Sequence, residues 1–130
     1  MFLHLLNDAQ QRAFLVLAKQ FIEADQHMAD EEQNLLELMR AEMGFSFEEE
    51  LPEGNLQSLS GAFDTRQAQA AAVLEIIGVG HADENFHPEE SRFLREMAAA
   101  FGISAEEVAR MESWVQRQLA LARECETFWS

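Results

Sequence analysis

Four acidic residues recur at one spacing in this sequence, and together they could bind a cation. Asp25 and Glu32 lie seven residues apart, and so do Asp83 and Glu90. Carboxylate oxygens are the ligands that hard divalent cations such as Ca²⁺ and Mg²⁺ prefer, with carbonyl oxygens and waters completing the coordination shell. These four side chains are therefore the candidate metal ligands of the chain.

The same four acids also have a purely structural interpretation. An aspartate between two helices can accept hydrogen bonds from the backbone N–H groups that begin the next helix, and a glutamate there can complete the cap. Two neighbouring carboxylates repel each other, so one must be protonated, bind a cation or accept hydrogen bonds. The sequence leaves both cation binding and capping open.

The two acid pairs belong to a longer repeat. A shift of 58 residues aligns residues 24–49 with residues 82–107 without a gap, and eleven of the 26 aligned positions are identical. Two unrelated amphipathic helices with similar caps could look alike, but an internal duplication explains the match better. The sequence thus predicts two related helical units, at about 12–49 and 70–107, packed around a pseudo-twofold axis.

Apolar residues at helical spacing surround each acid pair, so the acids are predicted to lie where core-facing helices end and begin. Each aspartate ends one apolar stripe, and each glutamate begins another. The stripes before the aspartates are Phe14, Ala18 and Phe21, and Ala72, Ile76 and Val79; those after the glutamates are Leu36, Met39 and Met43, and Leu94, Met97 and Phe101. A short connection would bring each aspartate close to its glutamate at the edge of the core.

The overall composition favours an all-α protein. The chain has 130 residues, of which 48% are hydrophobic, with six glycines, two prolines and no tyrosine. This length predicts one compact domain over residues 1–130, with about six to seven helices. Helices are expected at about 8–23, 30–43, 64–79 and 88–101, with a shorter one from Ser46 and a long one from Ser104. Residues 54–61 are the expected central loop, because Pro52 and Gly54 stop the preceding helix.

The charge of the chain limits its partners. A formal net charge of −15 repels nucleic acids and anionic membrane surfaces and attracts cations and basic partners. No apolar run approaches the length of a membrane span, so direct membrane insertion is not expected. The single cysteine, Cys125, allows no internal disulfide, which favours a reducing compartment. We therefore expect a cytoplasmic protein.

The repeated motif resembles that of the TerB-like proteins of tellurite resistance. In that motif an apolar residue lies three positions after an Asp, and a Glu lies seven positions after it. Here it reads DQHMADEE at residues 25–32 and DENFHPEE at residues 83–90. The glycine that usually follows the aspartate is Gln26 in one copy and Glu84 in the other, which alters the turn. The resemblance implies a compact helical domain associated with chemical stress, and cation binding through the four acids.

On these grounds we predict a non-enzymatic stress-response domain that binds a divalent cation, with Ca²⁺ or Mg²⁺ favoured, a protein partner, or both. No catalytic residue and no organic cofactor is assigned. One alternative is a metal-dependent, hydrolase-like enzyme that uses the same carboxylates, which would require an open coordination position and a substrate cleft. Another is a structural interaction adaptor in which the acids are only caps. The sequence leaves the partner, the oligomeric state and any role of tellurite open.

Two further features allow more than one interpretation. His81 and His87 flank Asp83 and could join Glu90 in a transition-metal site, although the first copy lacks both histidines and such side chains are more often solvated. Phe128 and Trp129 are expected to fold back on the core, or else to anchor a partner.

Overall fold

The computed structural model of the chain is all-helical in the residues that it describes, which are 2–25, 34, 37–41, 52–81 and 88–129. Helix α1 spans Asp8–Ile22, α2 Leu56–Ser60, α3 Arg66–Gly80, α4 Pro88–Ala100 and α5 Ala105–Cys125. Short 3-10 turns cover Leu3–Leu5, Glu23–Asp25 and Glu126–Phe128, and residues 37–41 are helical as well. The prediction of a compact, single all-α domain is confirmed.

Side-chain caps set where these helices begin. Asn7 and Gln10 form a reciprocal capping box at the start of α1, and the Thr65 side chain accepts from the backbone N–H of Ala68 at the start of α3. The Ser104 hydroxyl accepts from Glu107 N–H at 3.2 Å to open α5. Each cap satisfies a backbone donor that the first turn of a helix leaves without a partner.

Helix α3 lies at the centre of the domain and packs against α1, α4 and α5. Its apolar residues are buried almost all round, as expected of a helix with neighbours on several sides. Buried side chains from every α-helix form one core around it, and the largest fully buried ones include Phe14, Phe21, Ile76, Leu94 and Met97. Within the described helices, none combines the length and the apolar character needed to cross a membrane.

The expected central loop at residues 54–61 is partly wrong, because Leu56–Ser60 form the short helix α2. Asn55 and Ser58 make a second reciprocal capping box, with Ser58 N–H donating to Asn55 Oδ1 at 2.9 Å. Leu59 on this turn is buried in the core. The cap and the buried Leu59 stabilise as a helix a segment that was expected to be a loop.

The core-facing stripes are confirmed where the structure describes them. Leu94, Met97 and Phe101 are buried in the second copy, and Phe14, Ala18 and Phe21 are buried before Asp25. Met39 and Met97 occupy equivalent places in the repeat, and both are buried. Much of the first copy, including the helix expected from Ser46, lies outside the described residues, so the duplication and its pseudo-twofold axis stay predictions.

Phe128 and Trp129 do not fold back on the core. Phe128 is the last residue of the 3-10 turn after α5 and Trp129 follows it, and their side chains are 81% and 72% exposed. Helix α5 carries them past the last residues that pack on the body, so the first of the two expectations for this pair is wrong.

Candidate metal centre

Glu90 is the best-defined candidate ligand, and its carboxylate is buried. It lies in the first turn of α4, two residues after Pro88, and only 1% of it is exposed. Leu94 and Met97 continue the same helix face into the core, at 2% and 0% exposure. The sequence predicted a glutamate at the edge of the core, and the structure places it within the core.

A buried carboxylate requires compensation, because removing a charge from water costs several kcal/mol unless it is paired or hydrogen-bonded. The N-terminus of α4 supplies part of this compensation through its positive dipole end. Glu90 also has a polar interaction partner in the structure. Its carboxylate oxygens have the ligand chemistry that a hard divalent cation requires, so this residue fits such a cation.

Asp25 belongs to the first copy, yet its segment lies against the helix that carries Glu90. The 3-10 turn Glu23–Asp25 follows directly after α1 and packs against α4. The structure therefore brings together a predicted ligand segment of one copy and the helix of the other copy. The sequence predicted the pairing of Asp25 with Glu32 and of Asp83 with Glu90 within each copy, but it gave no signal for this contact between copies.

An aromatic pair stabilises the contact between α1 and α4. The Phe21 and Phe93 rings meet edge to face, with their centroids 5.9 Å apart. Such a pair contributes about 0.5–1.5 kcal/mol beyond the apolar area that it buries. Because Phe21 precedes Asp25 by one turn and Phe93 follows Glu90 by one turn, the pair fixes the two segments relative to each other.

The other candidate ligands are only partly covered. Glu32, Asp83 and His87 lie outside the described residues, and so does the side chain of Asp25. In the parts of the chain that the structure describes, no three His, Cys, Asp or Glu side chains form a group that could hold a metal. His81 is half-buried at the end of α3 and has an interaction partner.

One buried acid was missed by the sequence analysis. Glu75, in the middle of α3, is 9% exposed and accepts a hydrogen bond from the backbone N–H of Phe2. This contact fastens residues 2–5 to the central helix, so Glu75 has a structural role apart from the candidate metal ligands. Its position beside Ala72 and Ile76, as the one polar residue of residues 70–80, was the signal that could have identified it.

Comparison with known proteins supports the family resemblance over the part of the chain that holds the second copy of the motif. A family model described as "Tellurite resistance protein TerB" matches residues 53–113. The matched segment contains α2, α3, α4 and the first part of α5, and with them Asp83 and Glu90 of the second copy. No curated protein and no solved structure matches the chain.

Proposed function

We propose that this chain, which is TerB-like over residues 53–113, is a non-enzymatic domain that binds a divalent cation through its repeated acids. The observation that carries the proposal is the burial of Glu90 within the matched segment. A carboxylate at 1% exposure is held in a fixed place by the core around it, as a ligand must be. The proposed ligands are Asp25, Glu32, Asp83 and Glu90.

The charge and chemistry of the chain favour a hard cation. All four proposed ligands are carboxylates, which suit Ca²⁺ or Mg²⁺ better than the thiolate and imidazole ligands that favour softer metals. The net charge of −15 raises the local concentration of cations around the protein. A bound cation would also relieve the repulsion between the carboxylates that it joins.

We further propose that one site draws on both copies. The Glu23–Asp25 turn packs against α4, and the Phe21–Phe93 pair holds that contact in place. Asp25 lies at the C-terminal end of a helical segment, and the negative end of that helix dipole favours a cation. This effect offsets the positive dipole end of α4 near Glu90. This arrangement supports a cation that links the two helical units.

A protein partner and a cytoplasmic location complete the proposal. Helix α5 and the turn after it expose Leu121, Phe128 and Trp129, which are large apolar side chains of the kind that partners cover. Cys125 is a free, exposed thiol, which suits a reducing compartment.

Thermal denaturation with Ca²⁺, Mg²⁺, Mn²⁺ or Zn²⁺, each compared with a chelator, tests cation binding. A ligand that binds the native state raises its melting temperature. We expect at least one of the hard cations to stabilise the wild-type chain, and Glu90→Gln to lose at least half of that shift. Glu89→Gln is the matched control, because Glu89 is the exposed neighbour in the same helical turn and loses the same charge.

The capping interpretation makes a different prediction for the same variants. If Glu90 only ties the start of α4, Glu90→Gln lowers the melting temperature equally with cation and with chelator. A wild-type chain that no cation stabilises, or a Glu90→Gln variant that keeps the full shift, would refute the cation site.

A further inference from the structure

The last part of α5, from Ala120 on, extends beyond the body of the domain. Val108 and Val115 on its first half are buried, whereas every described residue from Ala120 to Trp129 is exposed. Leu121 is 61% exposed, and Phe128 and Trp129 are more exposed still. A helical end that displays large apolar side chains in this way is typical of a surface that another molecule covers.

The side chains along this helix form a continuous seam. Met111, Trp114, Gln118, Leu121, Cys125 and Phe128 recur at alternating intervals of three and four residues. This is the spacing at which one helix packs along another in a coiled coil. Arg110, Arg117 and Glu124 flank the seam on one side at intervals of seven, which is where charged residues select the partner helix and its direction.

A groove lies beside the first half of the seam. It has a volume of about 480 Å³ and is lined by the apolar side chains of Leu74, Met111 and Trp114, with Arg110 and Arg117 among its polar residues. Trp114 is held in place by Phe2, with ring centroids 5.7 Å apart. The aromatic face of Trp114, and two arginines against the single acid Glu107, favour an occupant that is both aromatic and acidic.

The end of the same helix has this composition. Glu124 and Glu126 lie next to the exposed Phe128 and Trp129. These residues cannot reach the groove of their own chain, because α5 is one continuous helix and a rise of 1.5 Å per residue separates Arg117 from Phe128 by roughly 16 Å. Groove and occupant can meet only between two chains.

We propose that α5 is a dimerisation helix on which a second copy of this chain docks in antiparallel orientation. Phe128 of the second copy lies against Met111, Cys125 against Trp114, and Leu121 against Gln118. Because each pair of residue numbers in this register has the same sum, the contact is symmetric and closes as a twofold dimer. The aromatic end of each chain fills the groove of the other.

The same register matches the flanking charges. Arg117 of each chain comes within about one half-turn of Glu124 of the other, so the twofold axis generates this ion pair twice. In a parallel dimer, Arg117 of one chain would instead lie level with Arg117 of the other chain. This inference deepens the partner-binding part of the proposed function and is independent of the cation site, which involves other helices.

Sedimentation equilibrium of the full chain over a range of concentrations tests the proposal. We expect the wild type to dimerise, and Leu121→Glu to abolish the dimer. Arg117→Glu and Glu124→Arg should each weaken dimerisation by at least about tenfold, since each places like charges together across the axis. The double variant Arg117→Glu with Glu124→Arg restores opposite charges and should recover most of the affinity.

Arg92→Glu, on the exposed face of α4, is the charge-matched control and should dimerise like the wild type. A wild-type chain that stays monomeric at every concentration, or Leu121→Glu that dimerises normally, overturns the proposal. Failure of the double variant to recover overturns the antiparallel register. All these residues are exposed, so circular dichroism should show each variant folded like the wild type.

Discussion

Phe21 and Phe93 meet edge to face at 5.9 Å, each one helical turn away from a candidate metal ligand. Phe21 leads to Asp25 of the first copy, and Phe93 follows Glu90 of the second. The contact therefore couples the stability of the core to the geometry of the candidate site. Since it joins the end of α1 to the start of α4, it is a tertiary contact that no local sequence pattern encodes.

Replacing Phe21 with alanine tests how much this contact contributes to the free energy of unfolding. Phe21 is fully buried, so Phe21→Ala should lower the free energy of unfolding by about 3–5 kcal/mol through lost burial and the cavity left behind. Urea denaturation measures the loss. Lys19→Ala, at an exposed position two residues earlier, should change the free energy by no more than about 0.5 kcal/mol. Equal effects of the two substitutions would contradict a specific role for the ring.

Two glycines should respond to alanine in opposite directions. Gly102 ends α4 with a φ of 71°, so Gly102→Ala should destabilise the fold by about 1–2 kcal/mol although a Cβ would meet nothing within 4 Å. Gly78 lies inside α3 with the same free space and a helical φ, so Gly78→Ala should stabilise by about 0.5–1 kcal/mol. Thermal unfolding of both variants measures the two signs, and a shared sign would refute this explanation.

Gln10 should contribute more than its neighbour Gln11. The buried Gln10 amide donates to Ala62 O at 3.2 Å and to Asp64 Oδ1 at 3.1 Å, and its oxygen accepts from Asn7 N–H. Gln10→Ala would remove three partly buried hydrogen bonds and should cost about 1–3 kcal/mol.

Gln11→Ala is the matched comparison for Gln10. The half-buried Gln11 donates to one backbone oxygen, that of Leu3 at 2.9 Å, so this variant should lose only about 0.5–1.5 kcal/mol. Chemical denaturation in urea ranks the two variants. A larger loss for Gln11→Ala would contradict the role given to the hydrogen bonds of Gln10.

Much of the fold was predictable because its signals are local. Helical spacing of apolar residues located α1, α3, α4 and α5, and Gly102 and Ser104 marked where one helix ends and the next begins. The burial of Leu94 and Met97 followed from the same periodicity. Each of these features depends on residues within a few turns of one another.

The features that escaped prediction depend on residues far apart in the sequence. The contact between the Glu23–Asp25 turn and α4 arises from packing across the domain. Glu107, in the first turn of α5, lies 2.7 Å from Arg66 at the start of α3, which is 41 residues away in the sequence. Spacing identified the acids, and tertiary packing decides what they contact.

The Arg66–Glu107 ion pair should contribute little to stability despite its short distance. Both side chains are partly solvated, at 52% and 40% exposure. A double-mutant cycle with Arg66→Ala and Glu107→Ala should give a coupling free energy of about 0.2–1 kcal/mol that falls as salt is added. A coupling that high salt leaves unchanged would show that the pair is not screened as exposed charges are.

The number of cations bound distinguishes a shared site from two separate ones. If Asp25 and Glu90 hold one cation between the copies, titration calorimetry should give one ion per chain. Asp25→Asn and Glu90→Gln should then be strongly non-additive, since removing either ligand disrupts the same site and the second substitution has little left to remove. If the chain binds two ions, and each substitution removes the binding of one ion independently, then Asp25 is paired with Glu32 and Asp83 with Glu90. Because the Glu23–Asp25 turn and α4 pack together, we expect the single shared cation.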